Sequence, residues 1–127
     1  MKRILIVDAD KYARVKFSRL LGECECEIET VDTAPEAARR LTREFFDCVV
    51  LDVEAHTAQG CETIHMIRAI SPDTEVIATT SENSRELEAR TRDQGIFYYY
   101  IKSFDVEELK QAVKNVFKKH ERQLHHA

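Results

Sequence analysis

Apolar residues along the chain gather into five short, dense runs separated by stretches with helical spacing. The runs are "RILIV" (3–7), "CEIETV" (26–31), "DCVVLD" (47–52), "EVIATT" (75–80) and "IFYYYI" (96–101). They are short and rich in β-branched or aromatic residues, which reads as strands. Between them, apolar residues recur three or four apart. Segment 11–22 carries Ala13, Val15, Phe17, Leu20 and Leu21; segment 34–45 carries Ala37, Ala38, Leu41 and Phe45. Segment 60–70 carries Ile64, Ile67 and Ile70, 84–94 is polar, and 105–120 carries Leu109, Val113, Val116 and Phe117. Thr33 with Glu36 and Asp105 with Glu108 fit capping boxes, while Gly22 and Gly95 fall where two helices should stop. Strict strand–helix alternation calls for right-handed crossovers, hence an α/β fold with a parallel sheet covered by helices on both faces.

A length of 127 residues suits one domain, read as residues 1–120 with a C-terminal tail at 121–127. Hydrophobic residues at 43% can fill a core and charged residues at 33% can cover it. The net charge of −4 gives no general affinity for nucleic acid. No apolar run approaches the ~20 residues of a membrane span, and no secretory leader precedes the first strand. The expectation is a soluble cytoplasmic protein.

Cysteine and histidine change this picture little. Cys24 and Cys26 form a Cys-x-Cys, while Cys48 and Cys61 stand alone, so a four-ligand zinc pattern is incomplete and reduced thiols are expected. Three of the five histidines, His120, His125 and His126, sit in the C-terminal tail, whose end "QLHHA" reads as solvated.

Parallel sheets of this kind carry their functional groups at the carboxyl ends of the strands. Those ends hold Asp8 and Asp10, then Asp52 and Glu54, then Thr80 and Ser81, then Lys102 and Ser103. Carboxylates there can hold a hard cation such as Mg²⁺, and a hydroxyl plus an ammonium can receive phosphoryl oxygens.

With these residues in order, the sequence resembles the receiver domain of two-component response regulators over about residues 2–118. The matching pieces are "ILIVDAD", "VVLDV" with Gly60 eight residues after Asp52, "VIATTS" and "YYYIKSF". The resemblance implies a flavodoxin-like five-stranded sheet in order 2-1-3-4-5. It implies that Asp52 accepts a phosphoryl group from a histidine kinase or phosphotransfer protein, with Asp8 and Asp52 holding Mg²⁺. Glu54 is a further metal candidate through its backbone or side chain. Thr80 and Lys102 would bind the phosphoryl group, and Tyr99 would occupy the position of an aromatic switch.

Three positions depart from the family pattern. Ala9 stands where the family usually has a second acid that contacts the metal, so weak Mg²⁺ binding is expected. Asp10 is acidic but one residue further on, and reads as the N-cap of the helix beginning at 11. Ser103 replaces a proline whose preceding bond is typically cis, and a cis bond before serine would cost roughly 2.5–4 kcal/mol, so a trans bond is expected. His56 replaces a second proline and reads as a solvated loop residue. Glu54 and Glu82 flank the site and either tune loss of the phosphoryl group or lie solvated in loops.

Other features read as structural. The ring-rich fifth strand is packing, and Lys110, Lys114 and Lys118 form a solvated stripe or, alternatively, a docking face for an acidic partner. Two further functions compete with the leading one. Ala9, His56 and Ser103 favour a pseudoreceiver that binds protein without phosphorylation. Asp8-Ala9-Asp10 also looks like the opening of haloacid-dehalogenase-type phosphatases, although Tyr12, the missing second acidic pair and the short chain oppose it.

Overall fold

The computed structural model describes residues 1–54, 58–82 and 84–126, with the backbone alone at 125 and 126. His56 lies outside the described residues. Strands β1 (Arg3–Val7), β2 (Glu27–Val31), β3 (Cys48–Asp52), β4 (Glu75–Thr80) and β5 (Tyr98–Ile101) alternate with helices. These are α1 (Lys11–Leu21), α2 (Ala34–Arg43), α3 (Gln59–Ile70), α4 (Arg85–Asp93) and α5 (Val106–His126). The strands form one parallel sheet in the order β2-β1-β3-β4-β5, as expected.

The side-chain period of two divides each strand between two cores. Leu5, Val7, Val49, Leu51, Val76, Ala78 and Tyr99 pack with Ala37 and Leu41 of α2, Ile64 and Ile67 of α3, and Leu87 of α4. Ile4, Ile6, Val50, Ile77 and Tyr100 point the other way, onto Ala13 and Phe17 of α1 and Leu109, Val113 and Val116 of α5. Phe17 and Tyr100 meet edge-to-face at 6.4 Å and 72°, a geometry that the ring quadrupoles favour. The Tyr100 hydroxyl donates to the Phe104 carbonyl at 2.7 Å. The ring-rich β5 is therefore mainly packing.

Caps explain where the helices begin. Asp10 sits in an extended conformation and accepts the Tyr12 N–H at 3.0 Å, which is the N-cap role. Thr33 accepts from Glu36 N–H at 3.3 Å and Ser84 from Leu87 N–H at 3.2 Å. Asp105 accepts from Glu107 N–H at 3.0 Å. The reciprocal arms of the expected capping boxes go elsewhere. Glu36 pairs with Arg39, and Glu108 accepts from the Tyr98 hydroxyl at 3.3 Å.

The two glycines behave differently. Gly95 takes φ +80°, the left-handed conformation that ends α4. Gly22 stays helical at φ −58° and opens a 3₁₀ turn over Gly22–Cys24. The left-handed residue is Glu25, at φ +54°. Among the described residues, Lys110 pairs with Glu23 and Glu107, while Lys114 and Lys118 are exposed.

The described thiols are free, and burial raises the pKa of three of them, Cys24, Cys26 and Cys48. Desolvation pushes the Cys26 thiol up to about 11, and Cys48 is raised as well.

The end of α5 requires a correction. The helix continues through His126, and His120 is a buried part of it, at 7% exposure, rather than part of a tail. Its Nδ1 lies 2.8 Å from Asp47 Oδ1, and the Phe45 ring is 6.0 Å from its own. Asp47 also accepts the Arg3 N–H at 2.8 Å, so this cluster ties α5 to the amino ends of β1 and β3. His120 continues the buried Val113–Val116–Phe117 stripe by helical spacing. His120→Ala should cost about 2 kcal/mol in a urea titration, because it opens a cavity and removes a partner of a buried carboxylate. A loss below about 0.5 kcal/mol would show that α5 ends functionally before this residue.

Candidate functional site

β1 and β3 are neighbours at the centre of the sheet, in register from Ile4 opposite Cys48 to Val7 opposite Leu51. Continuing each strand by one residue brings Asp8 and Asp52 to the same carboxyl edge. β5 arrives two strands away, and its last residue, Ile101, delivers Lys102 to that edge. The Lys102 ammonium spans the gap, with Nζ 2.9 Å from Asp8 Oδ2 and 2.8 Å from Asp52 Oδ1. The chain contains no cis peptide among its described residues, so Lys102 reaches both carboxylates with a trans bond to Ser103.

Asp8 is held on every side. It is 4% exposed, and its Oδ1 accepts the Asp10 N–H at 2.9 Å. Its N–H donates to Val31 O at 3.2 Å, and its carbonyl accepts from Arg14 Nη1 at 2.6 Å. Arg14 was not singled out in the sequence, where it reads as one more cation on a surface helix. Asp10 spends its own carboxylate on the α1 cap and does not line the cleft. That removes the general acid a haloacid-dehalogenase reading needs.

The cleft beside the carboxylates has a volume of about 250 Å³. Its walls include Asp8, Ala9, Asp52 and Glu54, together with Asp32 at the end of β2 and Gly60 at the start of α3. Asp32 was also missed, although the strand-end rule that found Asp8 applies equally to β2. Gly60 is required by close approach: a Cβ there would lie 2.7 Å from Val53 Cγ1.

The electrostatics follow from burial and crowding. Burial pushes the Asp52 carboxyl above its ordinary value; Lys102 pulls it down, and Asp8 and Glu54 push it up further. For Lys102, burial opposes the charge, but hydrogen bonds and attraction from Asp52 and Asp8 outweigh it, and its pKa rises. A carboxyl raised in the folded state favours folding most when protonated, and that stability is lost as pH climbs through the folded value. Asp52→Asn should therefore be more stable than wild type at neutral pH. The difference should vanish as pH falls below the ordinary aspartate range, in paired urea titrations. A constant difference at all pH values would assign the effect to packing.

Thr80 and Tyr99 are placed less directly. The Thr80 hydroxyl is buried and turned onto Glu82, donating to its carbonyl at 3.0 Å and accepting its N–H at 3.1 Å. Tyr99 is 6% exposed, packed in the α2–α3–α4 core, with the Arg92 guanidinium 5.8 Å from its ring. Its buried hydroxyl has no hydrogen-bond partner among the described residues. Tyr99→Phe should therefore raise stability by about 1 kcal/mol, since it removes an unsatisfied buried group. A lower melting temperature would mean that the hydroxyl has a partner. Glu54 and Ser103 are exposed.

The family model of the response regulator receiver domain matches residues 4–114. The chain belongs to that family. Receiver domains are signalling domains of two-component systems. This receiver is 27% identical over 111 residues to the DNA-binding transcriptional regulator NtrC of Azospirillum brasilense, covering 87% of this chain and 23% of that protein. It is 24% identical to sporulation initiation phosphotransferase F of Bacillus subtilis, over 89% of this chain and 91% of that one. The receiver spans about half of the response regulator MprA of Mycobacterium leprae (51%), to which it is 27% identical over 92% of its own length. In structure it is similar to a CheY-like receiver domain protein from Methanospirillum hungatei, with TM-score 0.86 and 25% identity over 97% of this chain and 98% of that one. A beryllofluoride-activated DrrB receiver domain superposes with TM-score 0.82 at 30% identity, over 93% and 98% of the two chains. No helix among the described residues is long and apolar enough to cross a membrane.

Proposed function

We propose that this receiver takes a phosphoryl group on Asp52 from a histidine kinase or phosphotransfer protein, and acts in the cytoplasm. The observation that supports the reading best is the convergence of Asp8, Asp52 and Lys102 at one sheet edge within hydrogen-bonding distance. An Asp52 oxygen attacks phosphorus; the bond from phosphorus to the donor breaks, and the donor leaves with that electron pair. Lys102 is placed to move from the Asp8–Asp52 pair to a phosphoryl oxygen, which its retained proton favours. Thr80 can donate to a second oxygen only after its hydroxyl turns from the Glu82 carbonyl, and Tyr99, two residues before the end of β5 at Ile101, is the switch candidate.

Magnesium fits this donor set in part. Two carboxylates already converge on one cationic group, the arrangement a hard cation takes, while Ala9 offers no oxygen. Among the described residues no group of three acidic, histidine or cysteine side chains is disposed to hold a metal. Asp8 and Asp52 would hold Mg²⁺, with Glu54 at the rim, and the ion would screen the phosphoryl oxygens from the attacking carboxylate.

A second reading, a pseudoreceiver that works without phosphorylation, is favoured by one observation: Lys102 closes both carboxylates while Thr80 is closed on Glu82. Incubation with acetyl phosphate and rising Mg²⁺, read by intact mass, separates the two. One added phosphoryl group supports acceptance; no adduct at any Mg²⁺ concentration selects the pseudoreceiver.

A further inference from the structure

The turn between α1 and β2 carries a chemistry that the carboxylate cleft does not use. It lies at the amino edge of the sheet, opposite Asp8 and Asp52, and reads Cys24-Glu25-Cys26. Cys24 ends the 3₁₀ turn, and Cys26 leads directly into β2. Both thiols are half-buried and pack against the same core, the one formed with α1 and α5. Burial raises the Cys26 thiol most, and charge on Cys24 raises it further, so the two sulfurs are close neighbours.

Glu25 decides how far apart the two cysteines stand. At φ +54° and ψ +60° it is left-handed, an uncommon state for a residue with a Cβ. The separation of Cα atoms two residues apart is set by the dihedrals of the residue between them. In extended backbone it is about 6.6–6.8 Å, at the limit of what a disulfide spans. In the left-handed state, the mirror image of an α-helical turn, it falls to about 5.4 Å. That is close to the commonest disulfide separation of roughly 5.5–6 Å. The other cysteines are out of reach. Strand β1 lies between β2 and β3, which puts Cys26 and Cys48 about 9.5 Å apart. Cys61 belongs to α3, on the opposite face of the sheet.

We propose that Cys24 and Cys26 form a reversible disulfide across Glu25 by exchange with a low-molecular-weight disulfide, which makes this turn a thiol modification site. The Cys24 thiolate attacks one sulfur of the donor. That S–S bond breaks, and one donor thiol leaves with the electron pair and takes up the proton that Cys24 released. The Cys26 thiolate then attacks the Cys24 sulfur of the mixed disulfide, and the second donor thiol leaves in the same way. Two protein thiols are thereby oxidised to one disulfide, and the donor is reduced to two thiols. Cys24 is the attacking residue. Burial raises its pKa, but attraction from Lys114 and Lys110 works against that rise, whereas the Asp47 carboxylate pushes Cys26 up further. Closing the ring costs the 3.4 Å bond that the Cys26 thiol donates to the Leu21 carbonyl. A ring across three residues is strained, so the bond is of the labile kind that a dithiol reverses. The inference does not depend on whether Asp52 accepts a phosphoryl group.

The test incubates the full, folded chain with oxidised glutathione at mildly alkaline pH, then alkylates it for intact mass and peptide mapping without reduction. Wild type should become a monomer lighter by two hydrogens, with Cys24 joined to Cys26, and dithiothreitol should restore it. Cys26→Ser should stop at a stable glutathione adduct on Cys24. Cys24→Ser should react roughly tenfold more slowly, since a higher pKa leaves less thiolate. Phenylarsine oxide, which bridges two neighbouring thiols without oxidising them, carries the test if either variant perturbs the fold. One equivalent should protect Cys24 and Cys26 together from alkylation in wild type. A mixed disulfide that persists in wild type, a bridge to Cys48 or Cys61, a disulfide-linked dimer alone, or no reaction of the folded chain would overturn the proposal.

Discussion

Asp52→Asn should take up no phosphoryl group from acetyl phosphate at any Mg²⁺ concentration, while wild type gains one. The substitution keeps the shape of the side chain and its packing at the end of β3, but replaces the attacking oxygen with an amide that is far less nucleophilic. It also leaves Lys102 ion-paired with Asp8 alone, while the amide oxygen can still accept from the ammonium, so Lys102 keeps its place. Folding is expected to survive, because the burial that raises the Asp52 pKa shows ionisation here to be a cost. The comparison therefore isolates chemistry from stability. Lys102→Met offers the complementary measurement: it should slow adduct formation by ~10²-fold or more, the scale for losing one charge-stabilising donor. Adduct retained in Asp52→Asn would place the acceptor elsewhere, and Asp8 would then be the first residue to change.

Ala9→Asp should tighten Mg²⁺ binding by about tenfold, equivalent to ~1.4 kcal/mol. In the present chain Asp8 and Asp52 would supply the charge, and water would fill the remaining oxygen positions around the ion. Ala9 lines the cleft beside both carboxylates, so an aspartate there adds an oxygen from the same wall. The same change should lower the stability of the metal-free protein by roughly 1 kcal/mol, since it adds another anion to a cleft already lined by Asp8, Asp32, Asp52 and Glu54. Saturating Mg²⁺ should reverse the loss, because an ion bound only by the folded state stabilises it by mass action. Calorimetric titration with melting curves at both metal levels reads all three effects. Unchanged metal affinity would mean that Glu54 already fills the missing position, since Asp10 is committed to the α1 cap.

What could be read along the chain was set by interactions a few residues apart. Strand and helix positions followed from apolar spacing, with observed ends within about two residues for most elements. Asp10 as N-cap followed from the preference of a short carboxylate for unsatisfied amides at a helix start. The gathering of Asp8, Asp52 and Lys102 at one edge followed from alternation alone, because parallel strands must all end on the same side of the sheet.

Side-chain destinations depended on neighbours far away in sequence. Lys102 meets Asp8 across 94 positions, and that pairing decides that the resting pocket already holds a cation of its own. Asp32 joins the cleft because β2 lies beside β1, a matter of strand order rather than local pattern. His120 read as part of a polar tail because its sequence neighbours are polar. Tertiary packing placed it against Asp47 instead, 73 residues away. The left-handed turn after α1 fell to Glu25 rather than Gly22 because the helix tightened into a 3₁₀ turn before reversing. Periodicity and capping are short-range and written in the chain, whereas the partner of a long polar side chain is chosen only when the sheet has closed.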